Sequence, residues 1–316
     1  GRLCQLCGTM VKSAEGPDFR SQCQYGPNVQ AIALSLMNTV NAPMNKVALF
    51  LAVITGEEIS PCNGYIAKLQ SRAAKGLKQF YADLRLKLIT LSLLYWDDTV
   101  IFINTKRACF RFYGNESIAF YTAHMKKGLK GLKEDNVLPL LTGDTKAMHD
   151  HNTVNYNPAF HFQNLECDQH LERDCKKNSD DTNHQCSLDL KEHIASTIHD
   201  RNVAEQAEQS CFDADYIAAF NSRLDKILQH GWQEYEADKE KLEKYGSPFE
   251  RALLTRVEKY RSNYFAWLED FTLPTTNNLS ERSLRPVKSK MKIAGQFEAE
   301  ENAQHYAVIR SYIETC

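Results

Sequence analysis

Apolar residues change their period along the chain, and each change marks an element. From Asn28 to Leu88 they recur at intervals of three and four, as in Ile32, Leu34, Leu36, Met37 and Val40, then Val47, Leu49, Phe50, Leu51 and Ile54. That spacing places one stripe on a helix, and Pro43 and Pro61 punctuate the helical region. From Leu91 the pattern becomes strand-like over residues 91–103, 108–113 and 117–123, with turn signals at Asn104-Thr105-Lys106 and Gly114-Asn115. A short helix is expected over 126–136, a brief buried strand over 146–148 and another apolar piece over 160–165. Residues 167–271 are charged, periodic and almost without proline apart from Pro248, which predicts a long helical segment. Residues 275–316 return to short helices around Pro286 and Gly295.

Two acids break this pattern. Asp97 and Asp98 interrupt an apolar run from Leu91 to Ile103, where a desolvated carboxylate must find a metal, a cation or a proton. A divalent cation bound by oxygen ligands is the natural partner. Three strands, a helix, a strand, a helix and a strand is the order of an α/β, ribonuclease H-like mixed sheet with flanking helices. In such a sheet the first strand and a later neighbour bring carboxylates together. Asp150 would supply the second acid, and Glu281, on a late helix, the third; the helical block before Glu281 would be a large insertion. The expected organisation is a cysteine-containing segment (1–26), a helical N-terminal region (27–90), a catalytic core (91–170 and 272–316) and the helical insertion (171–271).

Composition narrows the setting. The 316 residues carry a net charge of −2, so a polyanion partner must be met by a local patch rather than by the field of the whole protein. The ten cysteines are irregularly spread and no apolar leader opens the chain, which favours a reducing cytoplasm over a secreted disulfide scaffold. Residues 31–55 are apolar but broken by Asn38, Asn41, Pro43, Asn45 and Lys46, leaving no run able to span a bilayer. The chain opens at Gly1 without Met and stops at Cys316 within a helical pattern, so it reads as truncated.

Four ordered motifs then carry a resemblance. Trp96-Asp97-Asp98-Thr99, Met148-His149-Asp150-His151, Cys167-Asp168-Gln169-His170-Leu171-Glu172-Arg173 and the run from Asn277 to Val287 resemble, over roughly residues 25–316, the insertion-sequence 66 family of DDE transposases. The resemblance implies a ribonuclease H-like core acting on transposon ends and target DNA, with Asp97, Asp150 and Glu281 as catalytic, metal-binding triad. It also implies a bacterial, nucleoid-associated protein that works on double-stranded DNA as a homodimer. Such chemistry calls for two Mg2+ or Mn2+ ions about 4 Å apart, which activate the attacking oxygen and stabilise the leaving one. Asp98 stands where many members have Glu, and the family's N-terminal DNA-binding region is mostly missing.

Several residues have two readings. Asn278-Leu-Ser-Glu281 is also an ordinary helix cap, and Glu281 with Arg285 an ordinary i,i+4 pair. Arg282, Arg285, Lys288, Lys290 and Lys292 follow without an acid before Glu298, either a phosphate-binding patch or a solvated basic face. His170 and Arg173, one turn apart, are further candidates for phosphate contact. Cys4 and Cys7, with Cys23, form a candidate zinc knuckle or simply thiols, and Cys167, His170, His184 and Cys186 a second zinc candidate. His149 and His151 should point away from Asp150 by strand alternation. Two rivals stay open: an inactive or domesticated transposase that binds DNA without cutting it, and another metal-dependent phosphohydrolase or nuclease. The dyad His149-Asp150 suits an all-helical phosphohydrolase, which would leave the strands from Leu91 unexplained.

Overall fold

The computed structural model describes residues 2–3, 5–11, 25–244 and 249–316. They divide into two units, 1–72 and 73–316. In the first, β1 (Arg2–Leu3) and β2 (Met10–Val11) pair antiparallel, and α1 (Pro27–Asn38), α2 (Met44–Ile54) and the part of α3 (Asn63–Gly76) up to Arg72 follow. Ala33, Met37, Val47, Leu51, Ile66 and Leu69 form its core. Of the three candidate zinc ligands here, Cys4 and Cys23 lie outside the described residues, whereas Cys7 is exposed and lies 3.3 Å from the Thr9 hydroxyl.

The second unit is built on a five-stranded mixed sheet. Helix α4 (Lys78–Leu88) leads into β3 (Leu93–Ile103), β4 (Lys106–Gly114) and β5 (Ala119–His124), an antiparallel meander. After α5 (Leu129–Glu134), β6 (Lys146–His149) and β7 (Gln163–Glu166) add parallel to the other side of β3, giving the order β5-β4-β3-β6-β7. Side chains alternate across the sheet, and the clusters on its two faces follow that alternation. Tyr95, Ile101 and Ile103 pack with Phe110, Phe112 and Tyr121 under Leu279, Leu284, Val287 and Tyr306. Leu94 and Trp96 meet Tyr113, Phe120, Leu84, Leu88 and Leu132 on the opposite face.

Four further helices follow β7: α6 (Asp168–Thr182), α7 (Cys186–Gln206), α8 (Ala214–Lys244) and α9 (Phe249–Lys259), then the single turn α10 (Arg261–Tyr264). Leu171, Leu190, Ile194, Leu224, Leu228, Leu254, Val257 and Trp267 form their shared core. Gly231 has a packing role in α8, because a Cβ there would come within 2.8 Å of the Leu254 side chain and 3.1 Å of Cys186 Sγ. Helices α11 (Asn278–Ala294) and α12 (Glu300–Thr315) close the chain against the sheet.

Two local expectations are corrected. Residues 275–316 were read as short helices around Pro286, yet α11 does not end at Pro286 and runs eight residues beyond it to Ala294. Proline removes one intrahelical donor, and the buried side chains Leu284 and Val287 on either side keep the helix against β3 and β4. The cap of α11 is Asn277 rather than Asn278, and its side chain makes no capping bond.

Candidate active site

Register brings the first two acids together. Parallel pairing sets Tyr95 opposite Met148, so two residues further along both segments come Asp97 and Asp150. Asp97 shares the face of Tyr95 and Ile101, the one covered by α11. Helix phase then brings in Glu281: with Leu284 and Val287 packed against the sheet, Glu281 lines a polar cavity of about 470 Å3 together with Asp97, Asp98 and Asp150. Lys127, His170, Arg173 and Lys288 complete the charged part of its wall.

Contacts within the cavity are specific. The His170 ring bridges two acids, with Nδ1 3.0 Å from Asp150 Oδ1 and Nε2 3.5 Å from Glu281 Oε1. Arg173 reaches the same Glu281 oxygen at 3.4 Å. Glu281 therefore faces two cations from α6 across the cavity. Asp98 pairs instead with Lys127, whose Nζ lies 2.8 Å from its carboxylate at the wall of the same cavity. The Asp98 backbone N–H donates to Asp97 Oδ1 at 2.7 Å.

Electrostatics distinguish the residues. Burial, reinforced by the negative charges of Asp150 and Asp98, pushes the Asp97 carboxyl up to about 7. Hydrogen bonds to Asp150 and then Cys167 push His170 up to about 10, so it stands as an imidazolium between carboxylates. A cavity that raises one acid and draws a protonated histidine onto two others has a surplus of negative oxygen. Hard oxygen donors in this arrangement fit Mg2+ or Mn2+.

Asn277, which sequence reasoning did not single out, holds the second acid. Its side chain is buried, and its amide donates to the Trp96 carbonyl at 3.1 Å and to Asp150 Oδ1 at 3.3 Å. Ser280 Oγ donates to its Oδ1 at 2.8 Å, which explains why it does not cap the helix in the ordinary way. Two consecutive asparagines at the start of a helix, where one suffices for a cap, were the available signal. Lys127 had none, since nothing local separates it from Lys126 and Lys130.

The basic residues after Glu281 divide. Lys288 lines the cavity. Arg282 pairs with Glu116 at 3.7 Å and lines a different cavity, and Arg285 is exposed. Lys290 lies over the Tyr306 ring at 5.6 Å, and burial lowers its pKa. His149 is buried and bonded through Nε2 to Asn164, and His151 through Nδ1 to Glu166, each at the cavity wall. A larger cavity of about 590 Å3 shares His151, but its lining holds no acid.

The second zinc candidate does not come together as a set of four. His184 and Cys186 instead meet the buried Glu250, which also accepts from Asn178 at 2.9 Å. Cys167 and His170 remain together beside Asp150.

A family model described as the transposase IS66 family matches residues 22–305. The chain belongs to the IS66 family of transposases. A comparison with curated proteins returned no match. The matched span contains all four motifs, so Asp97, Asp150, His170 and Glu281 lie within the IS66 region. Among the described residues, no helix of this IS66 member is long and apolar enough to cross a membrane.

Proposed function

We propose that the chain is a DDE-type transposase with a ribonuclease H-like core, which cleaves element-end DNA and transfers the freed strand into target DNA. The observation that carries this reading is that Asp97, Asp150 and Glu281, drawn from a strand, the end of its parallel neighbour and a late helix, line one polar cavity. The sheet order supports the same core: a three-stranded antiparallel meander extended on one side by two parallel strands. An all-helical phosphohydrolase has no place for that sheet.

Asp97, Asp150 and Glu281 would hold the Mg2+ or Mn2+ ions, two in number, and release of the bridging His170 would free Asp150 and Glu281 for them. Bound there, such ions supply stabilisation of the attacking and leaving oxygens of an in-line phosphoryl transfer. Asn277 keeps Asp150 oriented through its paired bonds. Lys127, Arg173, Lys288 and the displaced His170 meet backbone phosphates, an attraction that is sequence-independent and salt-dependent. Water first breaks a phosphodiester at the element end, leaving a 3′-hydroxyl and a 5′-phosphate. That hydroxyl then attacks a target phosphodiester, forming a new one and releasing a target 3′-hydroxyl. Joining two ends calls for two copies of the chain.

Incubation of the purified protein with Mg2+ and duplex element ends tests the reading. Nicking is expected, and Asp97→Asn, Asp150→Asn and Glu281→Gln should each abolish it while duplex binding persists. Unchanged nicking in these variants overturns the triad. Duplex binding without nicking by the unaltered protein would instead favour a domesticated DNA-binding role.

A further inference from the structure

Beside the three acids lies a different set of donors. Cys167 Sγ, His170 Nδ1 and an Asp150 oxygen all lie within 4.8 Å of one another, the one such group of three or more potential ligands among the described residues. We propose that Asp150, Cys167 and His170 form a site for a borderline-soft divalent cation of the Zn2+ class, separate in chemistry from the all-oxygen site.

Geometry carries the proposal. In a tetrahedral site with bonds of about 2.3 Å to sulfur and about 2.0–2.2 Å to nitrogen and oxygen, S···N is about 3.6 Å and N···O about 3.4 Å. The observed separations are 3.3 Å for Cys167 Sγ to His170 Nδ1 and 3.0 Å for Nδ1 to Asp150 Oδ1. Those two edges lie within a few tenths of an ångström of the tetrahedral values, and the third, from Cys167 Sγ to an Asp150 oxygen, is within 4.8 Å. Cys167 immediately precedes α6, a 15-residue helix, and His170 follows one turn later, so both ligands sit on the same rigid turn.

The sulfur is also prepared for the role. Cys167 is buried, and the Asn277 backbone N–H donates to Sγ at 3.2 Å. That donor and the His170 ring, 3.3 Å away, fix the position of the sulfur beside Asp150. Binding releases the Sγ proton and the Nδ1 proton to solvent, so that a thiolate and a neutral imidazole face the cation. The side chains of Asp150 and His170 are about one-third exposed, which leaves the fourth position open to water. A thiolate and an imidazole serve Zn2+ or Co2+ far better than Mg2+. Because Asp150 belongs to both sets, an occupied soft site competes with the oxygen site; that consequence rests on the proposed function, whereas the binding itself does not.

Titration of the full, metal-free chain with Co2+, followed by displacement with Zn2+, reads the site without DNA. A sulfur-to-cobalt charge-transfer band is expected, persisting when Cys4, Cys7 and Cys23 are replaced together by serine. Cys167→Ser should remove the band and weaken Zn2+ binding at least about 100-fold, the upper end of what loss of an outer partner costs. His170→Asn, at a half-buried position, should weaken it comparably, and circular dichroism establishes that both variants are folded. Absence of a thiolate band in the unaltered chain overturns the proposal. So does a band that survives Cys167→Ser, or one lost only with the N-terminal cysteines.

Discussion

Asp97→Asn isolates what the protein gives up in stability to hold its central acid. The Asp97 carboxyl is raised from 3.8 to about 7 by burial and by the charges of Asp150 and Asp98. The folded state thus binds this proton more tightly than the unfolded chain. The resulting stability is present in full below about pH 4 and is lost as pH rises toward 7. A pKa displaced that far is worth about 4 kcal/mol at 1.36 kcal/mol per pH unit. The asparagine amide is itself buried at a cost, which leaves about 2 kcal/mol of that for the substitution to recover. Asparagine keeps the shape and an acceptor for the Asp98 N–H at 2.7 Å while removing the charge. In chelator at pH 8, Asp97→Asn should therefore raise the melting temperature by roughly 4–8 °C for a unit of this size. At pH 4 the gain should nearly vanish. Scanning calorimetry at the two pH values measures both. A variant no more stable than the parent at pH 8, or equally stabilised at pH 4, would refute the assignment of Asp97 as a strained, unneutralised acid.

Other consequences follow from single contacts. Asn277→Ala removes both bonds that orient Asp150 and should slow nicking by about 10- to 100-fold at saturating Mg2+, with duplex affinity unchanged; gel-based rates decide it. Arg111 is fully buried, pairs with Asp135 at 2.7 Å, and donates to the Lys126 and Lys127 carbonyls. Arg111→Met should cost about 3–5 kcal/mol in urea unfolding, and Arg111→Met with Asp135→Leu should recover most of it. Lys127→Ala and Arg173→Ala should each reduce the salt slope of duplex binding by about one, measured by fluorescence anisotropy across a salt series. Zn2+ should suppress Mg2+-dependent nicking in the parent, and Cys167→Ser should relieve the suppression, as read in the same gel assay.

Much of the fold was legible because period is a local property. The alternation over 91–103 became β3, Leu93–Ile103, and the apolar piece at 146–148 became β6, Lys146–His149. The charged run after Cys167 became α6 to α10. Pro286 misled because a local rule about a missing donor was outweighed by tertiary burial of Leu284 and Val287. Glu281 shows the same limit from another side. Its spacing to Arg285 is an ordinary helical pair, yet the packed face of α11 leaves its carboxylate beside Arg173 and His170.

By itself the sequence determined where strands and helices run, which positions carry acids inside apolar segments, and, through its motifs, the IS66 family. Tertiary structure alone decided which of those acids share a cavity. Parallel register aligned Asp97 with Asp150, helix phase aimed Glu281 at them, and the Asn277 amide and the Cys167–His170 turn were brought alongside. Those relations join segments distant in the chain, 127 residues apart for the bond from Asn277 to Asp150. Strand register and helix packing set them, and neither leaves a periodic trace in the chain around any one residue.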